Sequence, residues 1–308
     1  MKGNSIKFFF DIPGGLGNQL FALFAARFFF EYANHEVQPN FTTIDRSHTK
    51  LDQDINPEFF KHDKVKIRSN LFTDWLVRIY YPKHHLSRNF LKSFVSYNRR
   101  VFEPNHDRVK NVEQFLDLLP NHRQVPMRIS GFFADFEFYD RLVTLNRNVY
   151  LKTPEQRYLE EELRIIKIKT LGIHLRLGDY LKNPKTIGIL SDEYYQSIIE
   201  QYSSGYERII LFTNDWNLAQ NRVKKWSTKL PINVIYSDPY LNPLEDLLLL
   251  SKCSGIIAAN STFSFWAGKF SSNAQVVYPT PFRKDNFTEI ASIPKNWISH
   301  ESDWLENY

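Results

Sequence analysis

A single cysteine, Cys253, stands in the 308 residues of this chain. It has no partner for an internal disulfide and belongs to no set of thiolates that could build a multi-cysteine metal site; it suits a reducing compartment. Long apolar runs are also missing. The longest, residues 20–30, is broken by Arg27 and falls short of the roughly 20 residues a membrane-spanning helix needs. The opening MKGNSIKFFFDIPGG has a brief apolar run and then Asp11 and Pro13, which is not the pattern of a secretory signal. The sequons at Asn40, Asn260 and Asn286 therefore carry no implication of glycosylation, and the expectation is a cytoplasmic protein. Excess charge is scarce as well: the net charge is +5 and the pI is near 9.0. So mild a balance favours nucleotides or anionic lipids as partners, and no motif supports a nucleic-acid binder. Repeats and low-complexity tracts are absent.

What is present is a globular composition, 43% hydrophobic and 24% charged, with room for two domains. Aromatic residues make up 16% of the chain, which hints at ring-lined grooves. Residues 6–12 read as an opening strand, Pro13–Gln19 as a glycine-rich break, 20–33 as a helix rich in Phe and Ala, and 36–41 as a weaker strand. Strand, glycine turn and helix open a nucleotide-binding fold half. Residues 42–125 show no clear periodicity; within them, 88–108 is basic with interleaved rings, either a face for an anionic membrane or nucleic acid or a solvated helix face with its rings turned inward. A strand over 125–133 and a helix over 135–145 follow.

The second half alternates strands and helices. Helices are expected over 154–166, 191–202 (capped by Ser191), 216–226, 243–252 and 263–270. Strands are expected over 167–175, 208–213, 232–236, 255–259 and, last, 275–278. Such alternation predicts an α/β fold with doubly wound parallel sheets. The expected organisation is an N-terminal domain over 1–155, a second domain over 156–285 and a C-terminal tail over 286–308 that packs back on the first.

Chemistry concentrates at three strand ends. The strand ending near Leu175 delivers His174, Arg176 and Asp179 to its carboxyl end, where open α/β sheets bind ligands. The guanidinium of Arg176 is a planar fork suited to a diphosphate. Asn260, Ser261, Thr262, Phe263 and Ser264 follow a buried strand and open a helix, the arrangement of an anion site. Asn214 and Asp215 close a third strand and would offer acceptors to a base or ribose. Near the N-terminus, Gly14, Gly15, Asn18 and Gln19 surround a turn whose glycines allow close backbone approach. It is neither a dinucleotide fingerprint, because Leu20 replaces the third glycine, nor a P-loop. Asp135 and Glu137 form a D-x-E pair, read as a solvated helix start rather than a metal site.

In order along the chain, GGLGNQLF, GFFADFEFY, HLRLGDY, FTND and NSTFSFWAG resemble the α-1,2-fucosyltransferases of glycosyltransferase family 11, over residues 14–268. The resemblance implies a GT-B-like fold of two Rossmann-type domains and GDP-fucose as donor. It further implies inverting transfer of fucose to a 2-hydroxyl, usually of galactose, with no metal and no cofactor. The family's H-x-R falls on His174 and Arg176, with Arg176 holding the diphosphate. Asn260, Ser261, Thr262 and Ser264 match its donor-binding block, and Gly14, Gly15, Asn18 and Gln19 match the block facing the reaction centre. Leu177 stands where many members carry a second Arg, and Ala134 and Phe136 replace polar residues of the middle block.

These assignments suggest one displacement at the anomeric carbon, with Arg176 and the helix after Ser261 stabilising the departing GDP. Asp179 and His174 are the candidates to take the acceptor proton, with Asp179 alternatively orienting Arg176, and Asn18 would position the acceptor hydroxyl. The acceptor would be a galactose-containing, lipid-linked surface-glycan precursor of the O-antigen or capsule kind, met at the inner face of the membrane. The rival readings are a transferase of this fold using another nucleotide sugar, and a non-catalytic nucleotide- or glycan-binding module.

Overall fold

The computed structural model describes residues 7–12, 14–33, 36–40, 101–102, 127–129, 133–143, 156–226, 234–236, 243–285 and 290–306. The chain divides into two compact units, Met1–Lys152 and Thr153–Tyr308. The basic segment 88–108 lies outside the described residues except for two of its members, Val101 and Phe102.

The first unit contains strands β1 (Lys7–Asp11), β2 (Glu36–Asn40), β3 (Val101–Phe102) and β4 (Met127–Ile129), and helices α1 (Leu16–Ala33) and α2 (Glu137–Val143). The strands form one parallel sheet in the order β2-β1-β4-β3. Helix α1 starts a turn earlier than the sequence suggests. Gly14 takes the sharp turn at φ +72°, a conformation glycine adopts without penalty. Gln19, fully buried, donates its side-chain amide to the Gly14 carbonyl at 2.9 Å. Gly17, Asn18 and Gln19 are thereby helical rather than part of the loop.

The aromatic richness has a structural use in this unit. Phe21, Phe24 and Phe28 fall on one face of α1 and meet Phe136, Tyr139 and Phe138 of the α2 region, with ring centroids 5.0, 4.9 and 5.5 Å apart. These rings fill the α1–α2 seam instead of lining a groove. Burial of each phenylalanine contributes roughly 1.5–3 kcal/mol.

In the second unit, strands β5 (Thr170–Leu175), β6 (Arg208–Thr213), β7 (Val234–Tyr236), β8 (Gly255–Ile257), β9 (Gln275–Thr280) and β10 (Ile298–Glu301) alternate with helices. The helices are α3 (Gln156–Ile166), α4 (Asp192–Tyr202), α5 (Trp216–Val223), α6 (Pro243–Ser251) and α7 (Thr262–Phe270). All the strand pairs are parallel, in the order β10-β9-β8-β5-β6-β7. The chain starts in the middle at β5, winds outward through β6 and β7, then returns to the other side of β5 and winds outward again. That is the doubly wound order of dinucleotide-binding sheets, with its switch point between β5 and β8.

Every residue of β5 is buried, as expected for a parallel strand covered on both faces. Gly172 permits the close approach of α6: a Cβ there would meet Leu250 Cδ1 at 2.6 Å and Cys253 Sγ at 2.8 Å. Ser191 caps α4 by accepting the Tyr194 amide at 3.0 Å and donates its own hydroxyl to Asp303 at 2.6 Å.

Strand β10 is the main departure from the expected pattern. Four half-polar residues carry too little periodicity to announce a strand, and they pair in parallel with β9, from Ile298 opposite Val277 to Glu301 opposite Thr280. β9 is therefore not the last strand. Within the stretch 286–308, set apart from the sequence as a tail, Ile298–Glu301 supply the edge of the second unit's own sheet.

Candidate functional site

The ends of β5 and β8 flank the switch point, and two tyrosines of α4 fix both. Tyr195 donates its hydroxyl to the His174 carbonyl at 3.2 Å, and Tyr194 donates to the Ala258 carbonyl at 3.0 Å. His174 is 2% exposed, its ring lies 4.8 Å from that of Phe263, and its Nδ1 is buried without a partner. Burial, followed by the charge of Arg176, lowers its pKa to about 3, so the imidazole is neutral at physiological pH.

Arg176 lies just past the strand. Its Nη2 donates to Asp179 at 2.9 Å and its guanidinium sits 5.1 Å from the centre of the Tyr180 ring. Its Nε is buried and unpartnered. Tyr180 in turn donates to the Asn260 carbonyl at 3.0 Å, tying the loop after β5 to the loop after β8.

Asn260 is 1% exposed; its Nδ2 donates to the Ile187 and Gly188 carbonyls at 3.2 and 3.1 Å, while its Oδ1 is buried with no partner. Ser261 caps α7, accepting the Phe263 amide at 3.4 Å. Ser264 is fully buried, and its hydroxyl donates back to the Ala259 and Ser261 carbonyls, both at 3.1 Å. Its hydroxyl proton is thus committed to the helix start. Thr262 and Phe263 open α7, whose first turn presents backbone N–H groups at the sheet's ligand edge.

The bonds of Asn214 and Asp215 differ from the expected acceptor role. Asn214 grips Leu177 at both ends: its Oδ1 accepts the Leu177 amide at 2.8 Å and its Nδ2 donates to the Leu177 carbonyl at 3.3 Å. The same Nδ2 lies 3.1 Å from Asp179 Oδ1. Asp215 caps α5, accepting the Leu218 amide at 3.1 Å. Both side chains hold the site together from within. Leu177 is fully buried in the hydrophobic cluster, so the position of the second family arginine faces the core in this chain.

Gly14, Gly15, Asn18 and Gln19 belong to the first unit, where Gly14 and Gln19 close the turn before α1. Asp135 caps α2 through its bond from the Glu137 amide at 2.9 Å, and Glu137 pairs with Arg141 at 2.5 Å, as a solvated helix start would. Among the described residues no group of three or more His, Cys, Asp or Glu is placed to hold a metal ion.

Sequence reasoning overlooked Tyr180, Tyr194, Tyr195 and Asp246. The Asp246 carboxyl has a buried, unpartnered Oδ1, and burial, with Glu245 adding, raises its pKa to about 8. The adjacent carboxylates of Glu245 and Asp246 in the run LEDLLLL were its only signal.

A doubly wound sheet with an arginine, a neutral histidine and a helix N-terminus converging at its switch point has the form in which such sheets hold anionic ligands. Comparison with known proteins narrows the class. Residues 125–301, more than half of the chain, match glycosyl transferase family 11, and the chain belongs to that family. The N-terminal block around Gly14 lies outside the matched residues.

The O-antigen biosynthesis glycosyltransferase WbnK of Escherichia coli is 30% identical over 117 residues, covering 36% of this chain and 38% of the relative. An alpha-1,2-colitosyltransferase of Escherichia coli is 22% identical over 320 aligned positions, covering 94% of this chain and 97% of the relative. Among solved structures, POFUT1 in complex with GDP covers 90% of this chain and 99% of its own, at 12% identity and a TM-score of 0.52. NodZ alpha-1,6-fucosyltransferase co-crystallized with GDP gives 86%, 92%, 13% and 0.51 in the same terms. A mutant of Arabidopsis thaliana FUT1 in complex with GDP gives 92%, 72%, 15% and 0.54. At these identities the likeness is one of fold, an α/β fold with parallel sheets. No helix among the described residues is long and apolar enough to cross a membrane.

Proposed function

We propose that this family 11 glycosyltransferase is a GT-B-type α-1,2-fucosyltransferase. It moves L-fucose from GDP-β-L-fucose to a 2-hydroxyl, that of a galactoside in a surface-glycan precursor, with inversion and without a metal. The observation that carries this reading is the set of buried polar atoms at the switch point that have no hydrogen-bond partner among the described residues: His174 Nδ1, Arg176 Nε and Asn260 Oδ1. Buried polar atoms without partners are rare in folded proteins, and a polar ligand bound at the switch point would satisfy these three.

In the reaction the acceptor oxygen forms a bond to the anomeric carbon and gives up its hydroxyl proton to Asp179 or His174, while the bond to the diphosphate oxygen breaks and GDP leaves with the electron pair. Arg176 and the first turn of α7 meet the charge that develops on the leaving oxygen; preorganised electrostatics of this kind is usually the largest catalytic contribution. Asp179, bonded to both Arg176 and Asn214, aligns the guanidinium. His174, neutral, supplies a hydrogen-bonding nitrogen rather than a charge. The protein works in the cytoplasm at the inner membrane face, on a lipid-linked acceptor.

A second reading follows from the relative matched along nearly its whole length, a colitosyltransferase: the same α-1,2 linkage with a colitosyl donor. Transfer assays that offer GDP-fucose, a colitosyl donor, GDP-mannose and UDP-galactose in competition, with NMR of the product linkage, test the proposal. Preferred use of GDP-fucose and an α-1,2 product support it; preference for another donor or another linkage overturns it.

A further inference from the structure

A departing diphosphate carries charge on two phosphates, and the loop after β5 offers one guanidinium, because the next residue, Leu177, is buried in the core. We propose that Arg283 is a second cation of the diphosphate site. The inference rests on reading the switch point as a nucleoside-diphosphate pocket.

Arg283 follows β9, the neighbour of β8, and all these strands are parallel. It therefore emerges at the same sheet edge as Arg176 and Ser261. Its loop is fastened to the site: the Lys284 and Asp285 amides donate to the Ile187 and Thr186 carbonyls at 3.2 and 3.1 Å. Asn260 grips that same segment from the other side, at the Ile187 and Gly188 carbonyls. The charges of Arg283 and Arg176 both act on the Tyr180 hydroxyl, which is bonded to the Asn260 carbonyl.

The fork is also prepared for a ligand. Arg283 donates from Nε and Nη2 to the two oxygens of Asp285 at 2.9 and 2.6 Å, with its side chain 25% exposed. Those bonds fix the plane of the guanidinium and leave both hydrogens of Nη1, without a partner among the described residues, for an anion. Asp179 stands to Arg176 as Asp285 stands to Arg283, so each arginine has a carboxylate that aligns it.

The test is equilibrium binding of GDP and of guanosine to the wild type, Arg283→Gln, Arg283→Lys and Arg176→Gln. The expected result is that Arg283→Gln weakens GDP roughly ten- to a hundredfold, the worth of one charge-assisted hydrogen bond, while guanosine binding holds within about threefold. Arg283→Lys, which keeps the charge but loses the fork, falls between and serves alone if the glutamine variant does not fold. A loop staple with no ligand role would weaken GDP and guanosine together, and that result overturns the proposal. So does unchanged GDP binding in the Arg283 variants beside a loss in Arg176→Gln, which leaves the pocket itself intact. If the wild type binds no GDP, the pocket reading fails and the Arg283 assignment with it.

Discussion

Replacing Asn214 by Asp changes one group, an NH2 for an oxygen, and probes the scaffold beneath Arg176. The Oδ1 bond from the Leu177 amide survives. The Nδ2 side reverses from donor to acceptor, opposite the Leu177 carbonyl and 3.1 Å from the Asp179 carboxylate. Two negative charges at that separation repel by about 5 kcal/mol at an effective dielectric constant of 20 and by about 1 kcal/mol in bulk water. Asp179 is 44% exposed, so the cost falls toward the lower end of that range. The repulsion acts only while both carboxylates are ionised, and an ordinary carboxylate takes up its proton near pH 4. The destabilisation is therefore full at pH 8 and disappears as pH falls to about 4. Denaturant unfolding of both proteins across that range measures it. With Asp179 displaced, Arg176 loses its alignment, and turnover drops even at temperatures where the variant stays folded. A stability difference that is zero at pH 8, or that does not narrow in acid, would refute the role given to Asn214.

Two other substitutions probe neighbouring side chains. His174 binds a proton with a pKa of about 3 when folded but near 6.5 when unfolded, so the unfolded state takes up the proton first as pH falls. Its contribution is complete above pH 6.5 and declines toward pH 3, by up to about 5 kcal/mol; His174→Phe, which keeps a ring against Phe263, should flatten this part of the pH–stability profile. A profile unchanged by the substitution would show that His174 is not held neutral. Leu177→Arg restores the second arginine common in the family, but at a position with 0% exposure in the core. We expect a loss of about 3 kcal/mol or more from the unpaired buried charge and no gain in GDP affinity, measured by denaturant unfolding and calorimetry; a variant that is stable and binds GDP more tightly would contradict the inward placement of Leu177.

The second sheet was readable because parallel strands buried on both faces leave unbroken apolar runs punctuated by helix caps. The strand over 208–213 and the Ser191 cap come straight from that pattern. Strand β10 was not readable, because an edge strand of four residues, half of them exposed, resembles a loop. The start of α1 was hidden by its glycines, which read as loop until the Gln19 bond to Gly14 shows that the turn is finished by Gly15.

At the site, residue types were easier to read than partners. His174, Arg176 and the Asn260–Ser264 block could be located from strand ends and a helix start. That Asn214 would hold Leu177, or that Ser264 would bond back to Ala259, depends on contacts across distant segments that spacing does not encode. Tyr194 and Tyr195 were invisible for the same reason, as ordinary core residues of α4 whose hydroxyls happen to reach the ends of β5 and β8. The aromatic content pointed to grooves, whereas in the first unit the rings lie in the α1–α2 seam.

The central claim is that Arg176, at the β5–β8 switch point, meets the charge of a departing GDP. It is tested most directly by GDP release from GDP-fucose in the presence of EDTA, with a panel of β-galactosides, for the wild type and Arg176→Ala. The account predicts acceptor-dependent release that survives EDTA and falls on the order of a hundredfold or more in the variant. Release equal in the two proteins would contradict it.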